Sequence, residues 1–372
     1  MVTVIIFLIV LAILIFVHEL GHFFFAKLFG VRVDEFAIGF PPNVYSWTKG
    51  ETKYSINLIP FGGYCSIHGE NPDDKTVNGE DAKRSLIAQV RWKQAVIMFG
   101  GILFNLLFAW LVLWGILWFG TNSMPVDGGY PTTDNRIEIV MMAEDSPAAL
   151  VGLQAGDRLV AFNNSEISTV NDEGIKKIQD GIAESVGEVH LVVARDGEEL
   201  EFNITPTSTE TTDRQIIGIY MMVVGDFDGS FWTTPWYAVK YLYTLSSRMI
   251  VGLGDLLYRA FNDQASMDEI SGPVGIAKII GQAYEQSFQS LLLMMVLISV
   301  NLAILNLIPF PALDGGRILF IAIEKVVELF VDKKKRPYHL PMAFQNWTNL
   351  IGFTILIGFM IFVTYHDVVK LF

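Results

Sequence analysis

Four long apolar segments constrain the fold of this chain more than any other feature of its sequence. They cover Val2–Val17, Ala95–Phe119, Phe288–Ile308 and Trp347–Thr364. Each is close to the ~20 residues with which an α-helix crosses about 30 Å of hydrocarbon. One such segment is also consistent with a buried core helix, but four in a chain that is 52% hydrophobic and 17% charged indicate a membrane protein. We therefore predict four transmembrane helices.

The basic residues of the loops indicate how these helices are oriented. Lys and Arg number nine in residues 26–94 and six in residues 309–345, whereas residues 121–230 carry six against twenty Asp and Glu. Basic loops remain in the cytoplasm, and long domains weigh little in this rule. We expect both basic segments to be cytoplasmic, and the acidic segment and both termini to face the periplasm or extracellular space. The net charge of −13 argues against nucleic acid as a partner. The four apolar segments make the lipid bilayer an expected partner.

The sequence His18-Glu19-Leu20-Gly21-His22 follows directly on the first apolar run. Residues four apart share one face of a helix, so the two imidazoles can bind a single metal ion. Zinc binds neutral imidazole nitrogens and, in catalytic sites, keeps one position for water, whose proton Glu19 can accept. Three ionisable groups in an apolar helix are costly unless they have a function. We therefore interpret the motif as a zinc site with Glu19 as catalytic base, rather than as a polar helix end at the membrane interface.

Two histidines leave a catalytic zinc ion one protein ligand short. The best candidate is Asp314, which follows the third apolar segment at its predicted cytoplasmic end. His18 lies about sixteen residues, or ~24 Å, from the outer end of its helix, so the two depths agree. Asp314 also precedes two glycines, and spacing alone leaves open whether it is a ligand or a turn former.

Further motifs are spread over nearly the whole chain. They are Phe16–Phe23, Glu35–Phe40, Tyr54–Tyr64, Gly101–Asn105, Ser146–Ala149, Gly152–Asp157, Ser271–Gly275, Ser299–Asn306 and Pro309–Gly316. Together they resemble the site-2 protease family of intramembrane zinc metalloproteases, and within it the bacterial RseP and RasP type (regulator of sigma-E protease). The chain departs from that pattern at Ile102, at Pro42 and at Cys65–Ile67, and the loop differences leave substrate preference open.

The resemblance implies that Asp314 is the third zinc ligand. It also implies a set of substrate-binding residues: Asn301, Asn306, Pro309, Pro311, Gly62 and Gly63. The implied reaction is hydrolysis of peptide bonds within the transmembrane segments of single-pass membrane proteins. Such substrates include an anti-sigma factor in stress signalling and remnant signal peptides, and the implied location is the bacterial inner membrane.

The segment Lys53–Ile67 alternates β-forming residues and then bends at Gly62-Gly63. Cleavage requires an exposed carbonyl group, and a membrane helix hides its carbonyls in hydrogen bonds. Pairing an extended substrate with a strand edge would replace those hydrogen bonds. We therefore expect a membrane-associated β-loop, with an ordinary cytoplasmic hairpin as the alternative.

The acidic segment has the size and pattern of one soluble domain. Short β-like runs at Arg136–Met142, Arg158–Phe162, His190–Arg195 and Leu200–Thr205 surround a predicted helix near Asp172–Ser185. By resemblance, this is a single PDZ (α/β) domain that filters substrates by bulk, and a folded spacer without ligand affinity is the alternative. The charged, aromatic stretch that follows is expected to form amphipathic helices on the outer membrane surface.

The predicted fold is a polytopic α-helical membrane protein with a membrane-associated β-loop and one exported PDZ domain. Two other functions stay open: a PDZ-bearing scaffold without activity, and a metal transporter that uses the same His and Asp residues. The predicted segments are the first transmembrane helix with the zinc motif (1–30), the β region (31–94), the second transmembrane helix (95–120), the PDZ domain (121–225), the outer amphipathic helices (226–286), the third transmembrane helix (287–308), a cytoplasmic loop with the Asp ligand (309–345) and the fourth transmembrane helix (346–368).

Overall fold

A computed structural model of the chain describes residues 2–70, 80–119, 124–143, 146–209, 212–262, 270–331 and 338–369. The chain forms two compact units. The first unit contains Met1–Leu113 and Leu245–Phe372, and the second unit contains Trp114–Thr244. In chain order the elements are α1 (Val2–Leu28), β1 (Val33–Lys49), β2 (Thr52–Ile67), α2 (Arg91–Phe119), β3 (Met124–Pro125), β4 (Thr132–Met142), α3 (Pro147–Leu150), β5 (Arg158–Phe162), β6 (Ser165–Glu166), α4 (Asp172–Ala183), β7 (Val189–Arg195), β8 (Glu198–Ile204), β9 (Thr207–Thr209), β10 (Thr212–Ile216), β11 (Ile219–Phe227), α5 (Thr234–Phe261), α6 (Pro273–Gln286), α7 (Phe288–Leu307), α8 (Asp314–Phe330) and α9 (Met342–Val369).

Four helices, α1, α2, α7 and α9, are long and apolar enough to cross a membrane. They correspond to the four apolar segments of the sequence. Much of their apolar surface has no protein contact: Ile5, Leu111 and Phe353 are each more than half exposed. Contiguous apolar surface of this kind is rare on soluble proteins and suits a lipid environment.

The helices of the first unit are joined by apolar packing and by polar contacts, including those of a buried carboxylate on α9. A buried cluster that includes Val10, Ile280 and Met295 holds α1, α6 and α7 together. At the other end of α6, the side chain of Asp367 on α9 accepts hydrogen bonds from the backbone N–H groups of Gly272 and Gly275, at 3.2 and 2.8 Å. Because the first N–H groups of a helix have no partner within the helix, this carboxylate caps α6 and ties it to α9.

The two long strands β1 and β2 form the β region that the sequence predicts. Phe36 of β1 pairs with Tyr54 on one side and with Cys65 on the other, so β2 crosses from one side of β1 to the other. The crossing includes Gly62, whose φ of 104° favours glycine. The bend predicted at Gly62-Gly63 is therefore present within β2. Burial raises the pKa of the Cys65 thiol, which packs as an apolar side chain.

The segment 309–345 is predicted from the sequence to be a loop, but much of it is helical. It contains α8, a helix of 17 residues that begins at Asp314, and residues 332–337 lie outside the described part of the chain. The helix is anchored by a buried ion pair, in which Arg91 Nη1 of α2 lies 2.6 Å from Glu324 Oε2. Spacing alone did not reveal this helix, because its apolar face is interrupted by charged residues at the positions that form such pairs.

The second unit is built around one sheet with strand order β3-β11-β4-β5-β7-β8, and β6 pairs with β5. Its core contains buried residues from the sheet, such as Ile139, Leu191 and Val193, together with Ile178 and Ile182 of α4. The four predicted strands and the predicted helix are all present. Strand β11 was missed, although it pairs with β4 along most of its length, and the predicted outer helices correspond in position to α5 and α6.

Candidate metal centre and active site

Three glycines bring α1 and α2 into close contact at the motif of the first helix. A Cβ atom on Gly21 would lie 2.1 Å from Gly100 O, and one on Gly100 would lie 2.6 Å from Gly21 O. A Cβ atom on Gly101 would lie 2.5 Å from His22 Nε2 and 2.6 Å from His18 Cε1. Small residues allow helix backbones to approach each other in this way, and here the approach places both imidazole rings against α2.

Three possible metal ligands converge where α1 meets the start of α8. The Nε2 atoms of His18 and His22 are 3.2 Å apart. The Oδ2 atom of Asp314 lies 3.1 Å from His18 Nε2 and 3.3 Å from His22 Nε2. Atoms that bind a tetrahedral zinc ion at about 2.0–2.1 Å are about 3.3 Å from one another. The triangle therefore has the size that zinc requires, and these residues form a group that can hold a metal ion.

The charges of this group also fit a bound cation. Asp314 Oδ2 is buried and has no hydrogen-bond partner among the described residues, and His18 and His22 are only 8% and 6% exposed. A buried carboxylate is unfavourable unless a cation or hydrogen bonds offset its charge. Two imidazoles and one carboxylate are a donor set that catalytic zinc sites use. The residues present thus fit Zn²⁺.

The loop between α7 and α8 fixes the position of Asp314. A Cβ atom on Gly315 would lie 2.2 Å from Ile308 O, so the first turn of α8 packs directly on the preceding loop. Ala312 has a φ of 73°, a left-handed conformation that is unusual for a residue with a Cβ atom. Its backbone N–H donates a hydrogen bond of 3.3 Å to Asn349 Oδ1 on α9. Close packing and a side chain from α9 together hold this strained loop.

Helix α2 orients both imidazoles through their Nδ1 atoms. His22 Nδ1 lies 2.9 Å from the carbonyl oxygen of Ile97 and donates its N–H there, which leaves a lone pair on Nε2. His18 Nδ1 lies 3.2 Å from Asn105 Nδ2. Hydrogen bonds at the nitrogen opposite the metal fix the tautomer and the orientation of a ligating histidine. The two Nε2 atoms that meet Asp314 are therefore the ones that α2 leaves available.

The carboxylate of Glu19 lies beside the metal-ligand group and the edge of β2. It is half-buried, and it interacts electrostatically with His18, His22 and Asp314. The backbone N–H of Cys65 on β2 is within hydrogen-bonding reach of it. A Cβ atom on Gly63 would lie 3.7 Å from Glu19 Cγ. The structure thus brings together a carboxylate, the metal-ligand group and a strand edge.

The other residues expected to contact substrate lie on different elements. Asn301 is exposed on α7, and Asn306 is half-buried near the end of that helix. Pro309 is exposed, whereas Pro311 contacts α9, where a Cβ atom on Gly352 would lie 2.6 Å from Pro311 O. Gly62 packs on the ring of Phe40: a Cβ atom there would lie 2.7 Å from Phe40 Cε2. Among these predicted substrate-binding residues, Gly63 lies beside Glu19.

Two residues at this site have no role in the sequence analysis. Asn105 and Gly101 were noted there only as part of a motif, although one contacts His18 and the other lies against both histidines. A polar residue inside an apolar helix is a signal of function, and that signal could have identified Asn105. The close approach at Gly101 depends on the packing of two helices, and the sequence carries no direct sign of it.

Comparisons with known proteins identify relatives of this chain. RasP, a zinc metalloprotease of Shouchella clausii, is 28% identical over 445 residues, which cover 100% of this chain and 99% of that protein. A candidate zinc metalloprotease of Helicobacter pylori is 31% identical over 371 residues, covering 97% of each chain. The PDZ domain of an SdrC-like protein from Listeria monocytogenes matches 24% of this chain and 92% of its own, with 22% identity and a TM-score of 0.21.

A comparison with protein families matches residues 6–348 to peptidase family M50. The matched region contains the metal-ligand group and Glu19, and it extends from the first turns of α1 into α9. The relatives that match over the full chain carry the description zinc metalloprotease, which agrees with a donor set suited to zinc. The chain therefore belongs to peptidase family M50, the site-2 proteases, and is a zinc metalloprotease.

Proposed function

We propose that this protein hydrolyses peptide bonds within the transmembrane segments of single-pass membrane proteins. The observation that carries the proposal is the meeting of His18, His22 and Asp314, with ligand atoms 3.1–3.3 Å apart, beside the carboxylate of Glu19. Helix α1, which carries three of these four residues, is apolar enough to span a membrane. A hydrolytic site on such a helix acts on peptides that are themselves in the membrane.

The roles of the side chains follow from this placement. His18, His22 and Asp314 would hold the metal, which would act as a Lewis acid and lower the pKa of a bound water molecule to about 7. Glu19 accepts the proton that the attacking water loses and returns it to the leaving amine. The contacts of Glu19 with β2 place this base at a strand edge, where an extended peptide would lie within reach.

The strand edge at Gly62 and Gly63 supports a mode of substrate binding. A peptide taken out of a helix loses its backbone hydrogen bonds, and pairing with an open strand restores them. Gly63 has no side chain to separate such a peptide from Glu19. We assign Asn301, Asn306, Pro309 and Pro311 to substrate binding near the metal, since they precede Asp314 on α7 and its loop.

The membrane arrangement is part of the proposal. The basic segments 26–94 and 309–345 lie on the cytoplasmic side of a bacterial inner membrane, and the acidic unit and both termini lie outside. Residues 121–225 are a PDZ domain that limits the bulk of substrates; the motifs Ser146–Ala149 and Gly152–Asp157 and the β-rich fold of that unit support this. Substrates of this class are an anti-sigma factor in stress signalling and remnant signal peptides.

Substitution of Glu19 tests the chemistry directly. Glu19→Gln keeps the size of the side chain but cannot accept a proton, so we expect bound zinc at the wild-type level and loss of cleavage. The matched control is Glu173→Gln, the same change at an exposed carboxylate of α4. Zinc content is measured by elemental analysis, and cleavage with a reconstituted single-pass substrate.

The alternative functions predict different results. A transporter or a scaffold without activity would leave the wild-type protein unable to cut the substrate. If Glu19→Gln cleaves at the wild-type rate, Glu19 is not the base. If Asp314→Ala retains zinc as tightly as the wild-type protein, the ligand assignment is wrong.

Cysteine labelling tests the orientation. Val186, fully exposed in the acidic unit, and Lys83, exposed in the first basic segment, are each replaced by Cys. The native Cys65 is buried and gives little background. We expect a membrane-impermeant maleimide to label the Val186→Cys variant in intact spheroplasts, and the Lys83→Cys variant only after permeabilisation. The reverse pattern would invert the proposed topology.

A further inference from the structure

The side chain of Asn105 is buried at the metal-ligand group, and its contacts are incomplete. The residue is 0% exposed on α2, and its backbone carbonyl accepts a hydrogen bond of 2.8 Å from Ser299 Oγ on α7. Its amide nitrogen lies 3.2 Å from His18 Nδ1. Its amide oxygen is buried without a hydrogen-bond partner in the described part of the chain. A buried acceptor without a donor is unfavourable.

The orientation of this amide decides which nitrogen of His18 carries the hydrogen. If the NH₂ group of Asn105 faces His18 Nδ1, it donates a hydrogen bond to that nitrogen. The hydrogen of the neutral imidazole must then be on Nε2. That atom lies 3.1 Å from Asp314 Oδ2 and 3.2 Å from His22 Nε2, where a metal ligand needs a lone pair. The oxygen and nitrogen of an amide are assigned from their surroundings. Rotation by 180° brings the oxygen to Nδ1 and gives the unpaired acceptor a donor.

We propose that Asn105 is a positioning residue whose side-chain oxygen accepts the Nδ1–H of His18. The hydrogen bond holds the Nε2 lone pair of His18 towards the metal, as the Ile97 carbonyl does for His22 at 2.9 Å. The inference rests on the proposed assignment of both histidines as ligands. The two histidines differ in the kind of hydrogen-bond acceptor at Nδ1. The acceptor for His22 is a backbone carbonyl, which does not depend on the side chain at that position, whereas the acceptor for His18 is a side chain that a substitution can remove.

Three variants separate this role from simple packing. Asn105→Leu has nearly the same size without an acceptor, and Asn105→Asp has an acceptor that cannot donate. Ser299→Ala removes the hydrogen bond to the Asn105 backbone and leaves its side chain intact. We expect Asn105→Leu to bind zinc 10–100-fold more weakly, while Asn105→Asp and Ser299→Ala bind it at least as tightly as the wild-type protein. Zinc affinity is measured by chelator competition on purified full-length protein.

A measurement without metal tests the hydrogen bond itself. Solid-state ¹⁵N spectra of histidine-labelled, zinc-free protein report which ring nitrogen of His18 is protonated, with His18→Gln to assign the signal. We expect the wild-type protein to carry the hydrogen on Nδ1, and Asn105→Leu to shift it towards Nε2. This readout on the wild-type protein remains available if Asn105→Leu does not fold.

The outcomes are distinguishable. A wild-type His18 protonated on Nε2 in the zinc-free protein overturns the inference. So does an Asn105→Asp variant that binds zinc as weakly as Asn105→Leu, or an Asn105→Leu variant with wild-type affinity. If His18→Gln itself leaves zinc affinity unchanged, the ligand assignment of the proposed function fails instead, and the ¹⁵N result still reports on the hydrogen bond.

Discussion

Replacement of Gly101 by alanine should remove the metal centre by adding a single methyl group. The new Cβ atom would lie 2.5 Å from His22 Nε2, 2.6 Å from His18 Cε1 and 2.8 Å from His18 Nδ1. Non-bonded heavy atoms are most favourable at about 3.5–4.0 Å. The two rings would therefore have to move by about 1 Å, or α1 and α2 would have to separate by a similar distance.

Either movement exceeds what the site tolerates. Productive geometry at a metal or catalytic site requires ligands within about 0.5 Å of their positions. We expect Gly101→Ala to weaken zinc binding at least 100-fold, about 2.7 kcal/mol, and to abolish cleavage. The helix itself gives no reason for a loss, since alanine is favoured over glycine in a helix interior by about 1 kcal/mol.

The matched control lies on the same helix. Gly115 is also in α2, but a Cβ atom added there meets nothing within 4 Å, so Gly115→Ala should keep zinc and activity. Both variants are purified in detergent and compared for zinc affinity by chelator competition and for thermal unfolding. A folded Gly101→Ala protein with wild-type zinc affinity would refute the argument that the spacing of α1 and α2 shapes the centre.

Three further substitutions test other parts of the structure. Ala312→Gly should keep wild-type zinc binding, because glycine adopts the left-handed backbone conformation without strain. Ala312→Val, in contrast, should lower the free energy of unfolding by about 1–3 kcal/mol. Thermal unfolding and zinc titration compare the two variants. Arg195→Leu should destabilise the second unit by about 3 kcal/mol in thermal unfolding, because Asp157, 1% exposed, loses a bidentate partner at 2.6 and 2.7 Å. The hydrogen bond from Arg84 lowers the pKa of Glu51 to about 2. The ionised Glu51 side chain therefore stabilises the fold above about pH 4.5, and this contribution is lost as the pH falls towards 2. Between these pH values, the unfolding temperature of Glu51→Gln should depend less on pH than that of the wild-type protein.

Local patterns in the sequence predicted the parts of the site that lie within one element. His18 and His22 are four residues apart, and helical periodicity alone places them on one face. The apolar segments around them predicted helices, because both the length and the composition of each are set by the hydrocarbon they cross. The bend at Gly62-Gly63 was predictable for a similar reason, since glycine at a positive φ needs no tertiary contact to be favourable.

The remaining features depend on contacts between distant elements. Asp314 is 296 residues from His18, and spacing left its role open between a ligand and a turn former; the contact of 3.1 Å between the two side chains exists only after α8 has docked on α1. Asn105 and Gly101 act on α1 from α2, so no window of sequence around the histidines contains them. Strand β11 was missed because its continuous apolar run lacks the alternation of a half-buried strand.

The residues of the candidate active site all belong to one of the two compact units of this chain. His18, Glu19, His22 and Asp314 all lie within the unit formed by Met1–Leu113 and Leu245–Phe372. The unit Trp114–Thr244 has its own buried core and its own ion pairs, and it supplies none of these four residues. The spacing of His18, His22 and Asp314 is set by glycine contacts between α1 and α2 and by the packed loop before α8, all of which lie within the first unit. The surroundings of these three side chains therefore tolerate almost no added volume.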